Sequence, residues 1–347
     1  MEIKQVVDYL KSYDGRELKI MEVCGTHTAS IFKNGIRSLI SPKITLISGP
    51  GCPVCVTPTA YIDKCIEYAC KESHVLLTFG DMMKVPGSRG SLSEAKGNGA
   101  SVHMMYSPFE VLDKAAAEPQ TTFVVAAVGF ETTAPAYALL LSRAKLRGIG
   151  NIKLVTALKT AIPALKWICE NQEDIDGFIC PGHVSVVIGS HVYDELAERY
   201  EKPFVVSGFE AEHILASIYR IVRQTEKGMS RTENLYRNAV RDDGNKKAIE
   251  AIENVFEPGA AMWRGLGMIE NSGLYIKSEF AEYDGGSRNL HEDMELPKEC
   301  CCDSVIVGRK SPDQCPMFGE KCSPVKPFGP CMVSAEGACG IWYRNIH

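Results

Sequence analysis

The sequence contains no apolar run approaching the roughly 18 residues that a membrane span requires. Its first residues, Met1-Glu2-Ile3-Lys4-Gln5-Val6-Val7-Asp8, lack the apolar centre of a signal peptide, so a cytoplasmic protein is expected. Lys and Arg form no block or stripe, no helix–turn–helix, zinc-finger or RNP pattern occurs, and the net charge is -5. A nucleic-acid partner is therefore not expected. G-x-x-x-x-G-K-[ST], a G-x-G-x-x-G after a strand and the C-x-x-x-C-x-x-C of radical-SAM enzymes are missing too, which leaves no motif for nucleotide, dinucleotide or S-adenosylmethionine. There is a single C-x-x-C, without the second pair that a structural zinc site needs.

What is present is an ordinary globular composition, 45% apolar and 23% charged, over 347 residues, enough for two or three domains. Strand-like runs near 17–23, 43–47, 74–79, 121–128, 151–157, 177–180 and 203–206 alternate with helical spacing near 2–12, 29–39, 59–71, 108–117, 136–147, 161–171, 185–200 and 210–225. Such alternation implies right-handed βαβ crossovers. The expected fold is α/β: two βαβ-type domains with mostly parallel sheets, over 1–118 and 119–227, then a C-terminal domain over 228–347. Residues 231–247 read as a solvated helix, turn-rich stretches such as Glu257-Pro258-Gly259 follow, and from Cys300 the chain is an irregular wrap rich in cysteine, proline and glycine. Such a segment buries too little apolar surface to order itself, so something else must hold it.

Cysteine is the abundant feature, with 14 residues in a chain whose compartment disfavours structural disulfides. Cys65, Cys70, Cys169 and Cys180 lie in apolar surroundings and read as buried thiols. Cys52-Pro53-Val54-Cys55 falls between a strand and a helix, where backbone N–H groups and the helix end favour thiolate, with a first pKa of roughly 3.5–7.5 instead of about 8.5. Redox chemistry, or half of a metal site, follows from that setting. Cys24 and His27 stand three residues apart at a helix start, either a soft thiolate beside an imidazole or an ordinary buried pair. Cys24-Gly25-Thr26-His27 is echoed by Cys180-Pro181-Gly182-His183 at another strand end, which would make the two loops equivalent carboxyl-end positions where ligands bind. Asp81 and Glu131, taken alone, read as loop or cap carboxylates. Near the end, Cys300, Cys315, Cys322 and Cys339 are separated by 14, 6 and 16 residues, suiting an iron–sulfur cluster or zinc, although composition does not choose which four of the seven late cysteines bind.

Five stretches in one order, Met21-Glu22-Val23-Cys24-Gly25-Thr26-His27-Thr28, Gly49-Pro50-Gly51-Cys52-Pro53-Val54-Cys55-Val56-Thr57-Pro58, Gly129-Phe130-Glu131-Thr132-Thr133-Ala134-Pro135, Pro181-Gly182-His183-Val184-Ser185 and Glu336-Gly337-Ala338-Cys339, resemble the HypD family of hydrogenase maturation proteins across nearly the whole chain. The resemblance implies a [4Fe-4S] domain after two α/β domains, and a role in building the Fe(CN)2CO group of [NiFe]-hydrogenases. It implies work with the small chaperone HypC as a scaffold, and cyanide received through HypE, which takes it from HypF. Carried over by motif, Cys24 would bind iron with His27 beside it, Cys52 and Cys55 would be the redox pair, and Cys300, Cys315, Cys322 and Cys339 would hold the cluster. Asp81, His183 and Glu336 match further motif positions. The rival readings are a cluster-fed disulfide reductase of the ferredoxin:thioredoxin reductase type and a zinc-stabilised binding module.

Overall fold

The structure, a computed structural model, describes residues 2–294 and 298–346. Its strands are β1 (Leu18–Glu22), β2 (Ile44–Ser48), β3 (His74–Thr78), β4 (Val102–Met104), β5 (Thr122–Gly129), β6 (Ile152–Leu158), β7 (Gly177–Pro181), β8 (Phe204–Ser207), β9 (Thr232–Asn234), β10 (Phe256–Trp263) and β11 (Gly267–Ile276). The first sheet has the order β2-β1-β7-β8-β9 and the second β4-β3-β5-β6, while β10 and β11 form a hairpin. Every pairing within the two larger sheets is parallel. The α/β class with mostly parallel sheets is thus the class observed. β5 shows the physical cause: Val124, Val125, Ala126 and Ala127 are apolar in succession and buried on both faces, as a strand between helical layers must be.

Sheet membership crosses the boundary expected at residue 118. β1 and β2 pair with β7, β8 and β9, whereas β3 and β4 pair with β5 and β6. The chain leaves the first sheet after β2, builds the second, and returns at β7. Periodicity reports that strands and helices alternate, not which strand lies beside which. Three local expectations change as well. The helix expected over 185–200 is two, Gly182–Ile188 and Asp194–Tyr200, parted at Gly189. Gly189 has φ +87°, and a Cβ there would stand 2.2 Å from the Asp242 carbonyl oxygen. The solvated helix expected over 231–247 instead contains the edge strand β9, and helix Lys246–Val255 begins only at its end. The turn expected at Glu257-Pro258-Gly259 lies inside β10, next to a register shift between Gly259 and Ala261 that accommodates it.

The cysteine-rich wrap is ordered by joining an existing core. Cys302, Val305, Ile306, Cys331 and Cys339 share one apolar cluster with Cys52, Val54 and Cys55. Cys65, Cys169 and Cys180 are buried as expected, but Cys70 is exposed because it ends helix Thr59–Ala69 as its C-cap. Among the described residues no helix is long and apolar enough to cross a membrane.

Candidate functional site

β1 runs out at Glu22, and the chain turns through Cys24, in extended conformation, into helix Gly25–Lys33. The helix begins four residues before the periodicity predicts, which places His27 in its first turn. β7 likewise feeds His183 into helix Gly182–Ile188, and β8 ends in the loop carrying Gly208 and Phe209. Because β1, β7 and β8 are neighbours, these carboxyl-end loops converge. His27 is fully buried, and its Nε2 lies 3.0 Å from the Gly208 carbonyl oxygen, so Nε2–H donates and Nδ1 is left without a partner. Phe209 packs against both imidazoles, with ring centres 4.9 Å from His27 and 4.0 Å from His183. Burial lowers His27 to about 4, so the ring is neutral at neutral pH. Burial also pushes the Cys24 thiol up to about 11, with the charge of Glu336 adding to the effect, against hydrogen bonds from Thr26. A thiol gives up its proton when it ligates a metal ion, so metal binding at this sulfur would release a proton. Beneath the loop, Glu22 Oε1 accepts from Thr28 and Ser48 hydroxyls, each at 2.6 Å, and burial raises its carboxyl to about 7.

The carboxyl edge of the second sheet faces this one across a pocket. Cys24, Gly51 and His183 line one side, and Phe130, Ala161 and Trp263 the other. Open parallel sheets bind ligands at this kind of crevice. Glu131 does not line the pocket; its Oε1 accepts from the Ala161 N–H at 2.7 Å and so fixes the start of helix Ala161–Asn171, which does. Burial raises that carboxyl to about 7. Lys159, at the end of β6, is buried behind the same wall: its Nζ donates to the Met262 carbonyl at 2.6 Å and stands 5.7 Å from the Trp263 ring centre. Burial lowers this ammonium to about 7.

The C-P-V-C turn approaches Cys24 through a glycine. A Cβ on Gly51 would stand 2.6 Å from the Cys24 backbone nitrogen, so any larger residue would part the two loops. Cys52 and Cys55 are joined as a disulfide, 5% and 2% exposed. The following helix begins only at Thr59, so the turn holds the couple outside the helix end, oxidised and buried. The disulfide borders a second, small cavity with Thr28, Ser48, Cys331 and Glu336. Glu336 and Pro50 line this cavity and the Cys24 pocket alike. Gly25 admits the Glu336 segment, since a Cβ there would meet the Glu336 carbonyl oxygen at 2.3 Å. Asp81, on the turn after β3, lines none of these cavities; it keeps access to solvent, the protein around it raises its carboxyl, and its charge adds to the effect of burial in raising Glu336.

A third cavity is walled by sulfur. Cys300, Cys315, Cys322 and Cys339 all line it, joined by Cys302 and Cys331. Backbone N–H groups of Cys301, Phe328 and Cys339 point to the sulfurs of Cys315, Cys322 and Cys331 at 3.4, 3.4 and 3.3 Å. N–H donors aimed at sulfur, apolar neighbours and thiolates without a second ligand type are the surroundings of an iron–sulfur group. Among the described residues no three His, Cys, Asp or Glu side chains converge as ligands of one ion, so the thiols surround a volume and not a point. Cys331 lines this cavity and the disulfide cavity together. The three spaces are therefore consecutive: the Cys24 pocket, the disulfide cavity behind Glu336 and Pro50, and the cysteine cavity behind Cys331.

Sequence reasoning passed over Phe209, Trp263 and Lys159, and left Cys302 and Cys331 among the seven late cysteines without a place. Phe209 and Trp263 sit in loop-like stretches with no periodic signal, and their place beside the site comes from strand order. Set against known proteins, the chain matches the HypD family model, described as "Hydrogenase formation hypA family", over residues 1–346. It is similar to the hydrogenase maturation factor HypD of Escherichia coli (strain K12), 40% identical over 358 residues spanning 99% of this chain and 95% of the relative. The factors of the same name from Rhodobacter capsulatus (40% over 351 residues, 99% and 93%) and Azotobacter vinelandii (42% over 338 residues, 94% and 89%) are similar to it as well. With matches that span nearly its full length, the chain belongs to the HypD family of hydrogenase maturation factors.

Proposed function

We propose that this chain is a cytoplasmic scaffold on which the Fe(CN)2CO unit of a [NiFe]-hydrogenase is assembled and carried, together with a HypC-type chaperone and with HypE as the cyanide donor. The carrying observation is the row of three cavities with shared walls. Cys24 binds the incoming iron as a thiolate, releasing its proton to the pocket, and His183 bounds the space in which cyanide and CO are added, with buried, neutral His27 held behind it against Phe209. The cargo is held at the first sheet's edge; Phe130 and Trp263 close the apolar wall opposite and keep water out. Cys52 and Cys55 take up two electrons and two protons to become two thiols, and return them on closing the disulfide. Cys300, Cys315, Cys322 and Cys339 hold a [4Fe-4S] cluster, which when bound supplies electrons one at a time. Cys331 stands between that cavity and the disulfide.

The disulfide reductase reading draws support from the same adjacency of disulfide and cysteine cavity. A protein substrate, however, must reach the sulfurs, and the pair is 5% and 2% exposed. Infrared spectroscopy of the protein purified anaerobically with its chaperone separates the readings. Bands of bound CN and CO are expected from a scaffold, and a spectrum without them on iron-loaded protein would favour the reductase.

A further inference from the structure

Where β5 ends, the chain turns through Phe130-Glu131-Thr132-Thr133, and three of these four side chains are spent on the fold. Phe130 stacks on Trp263, with ring centres 5.8 Å apart. Glu131 Oε1 accepts from the Ala161 N–H at 2.7 Å. Thr133 donates its hydroxyl to the Phe130 carbonyl at 3.1 Å, and a Cβ on Gly129 would stand 1.7 Å from that hydroxyl oxygen, so the bond closes the turn tightly on the strand. Thr132, pinned between these anchors, lines the Cys24 pocket and is exposed. Among the described residues its hydroxyl has no hydrogen-bond partner. The rest of that wall offers no free donor: Phe130, Ala161, Ala164 and Leu165 are apolar, and the Trp263 indole N–H is donated to Ser272 at 2.8 Å. The other polar side chains lining the pocket, those of Cys24, His183 and Glu336, stand on the side of the first sheet.

We propose that the Thr132 hydroxyl donates to the nitrogen end of one cyanide on the iron unit held by Cys24, and so fixes which ligand of that unit faces the second sheet. The inference rests on the scaffold reading above. An iron-bound cyanide carries negative charge and a nitrogen lone pair, which makes it a strong acceptor, whereas the oxygen of bound CO is a weak one. A single donor on an otherwise apolar wall therefore takes cyanide and leaves CO against Ala161, Leu165 and Trp263. The exposed hydroxyl bonds water until the ligand arrives, so one hydrogen bond replaces another and the gain is the modest net value of that exchange. Thr132 sorts the ligands by hydrogen bonding alone, without making or breaking a covalent bond.

The test is infrared spectroscopy, in H2O and in D2O, of the full chain purified anaerobically with its chaperone as wild type, T132V and T132S. Wild-type protein without CN and CO bands refutes the scaffold reading itself, and their presence puts Thr132 alone at issue. T132V keeps nearly the same shape without the donor. It is expected to displace one of the two CN bands, to abolish the response of that band to D2O, to move the CO band less, and to lose its bands roughly fivefold to tenfold faster on dilution. T132S restores the wild-type pattern. CN bands at wild-type positions with the wild-type D2O response in T132V overturn the proposal, and so does an equal displacement of every band, the mark of a rearranged pocket. Where T132V carries no CN or CO at all, T132S decides: wild-type bands in it support the hydroxyl, and their absence refutes it.

Discussion

Two regions of this molecule hold sulfur in opposite ways. Cys24 and the Cys52–Cys55 disulfide sit on loops whose ends are pinned by adjacent parallel strands, β1 and β2, with backbone bonds such as Gly49 N–H to the Glu22 carbonyl fixing the approach. The late cysteines sit on a segment with short helices at Cys302–Ile306, Pro330–Val333 and Ala338–Ile346 and little else, held by packing into a core the sheets already supply. In the first region the framework precedes the chemistry. In the second, the group proposed above for the thiols would add to that packing in ordering the chain, because a metal that binds only the folded form contributes its binding free energy to folding.

The sharpest way to break this comparison is to remove the bound group. A Cys300→Ser, Cys322→Ser double variant should lose the iron–sulfur signal entirely and show amide exchange accelerated by on the order of 100-fold or more across 300–346, with β1, β5 and β7 unchanged. Hydrogen exchange read by mass spectrometry checks this, and an unchanged wrap would mean that packing alone holds it. Next, Gly25→Ala attacks the contact between the regions, since the added methyl meets the rigid Glu336 backbone. Overpacking of this kind should cost about 1–3 kcal/mol in urea unfolding and loosen the wrap more than the sheets.

Lys159 sharpens the comparison from the framework side. Its folded value of about 7 lies below the unfolded ammonium value near about 10.4, so the unfolded chain binds the proton more tightly between the two. On this account stability climbs as pH rises through that window and is flat below about 7. Wild type should gain roughly 1–2 kcal/mol between about pH 7.5 and about pH 9.5 relative to Lys159→Met, as denaturant midpoints would record. The smallest effect is expected from His183→Ala, which removes the closer ring stacked on Phe209. It should cost about 0.5–1.5 kcal/mol while leaving the wrap's protection intact.

The α/β class was legible because β5 and its counterparts are apolar runs separated by helical spacing, and that pattern depends on local sequence alone. Cys24, His27, Cys52, Cys55 and His183 stood out for the same reason, each falling where a strand gives way to a turn. Strand order was not legible. Nothing in residues 18–48 says that β1 will lie beside β7, and so the division at residue 118 misses the return of the chain to the first sheet. That return is also what sets Cys180-Pro181-Gly182-His183 next to its echo at Cys24, although Cys180 itself points into the core and only its neighbours reach the pocket. The disulfide at Cys52 and Cys55 was legible as a couple but not in its burial, which comes from the wrap lying over it.

Substituting Cys24 tests the account most directly, because the row of cavities has a purpose only if its far end holds iron. Anaerobically isolated Cys24→Ala should lose the infrared bands of CN and CO while keeping the visible absorption of the cluster. Bands of wild-type intensity in that variant would contradict the role given to the first pocket and, with it, the order of the three.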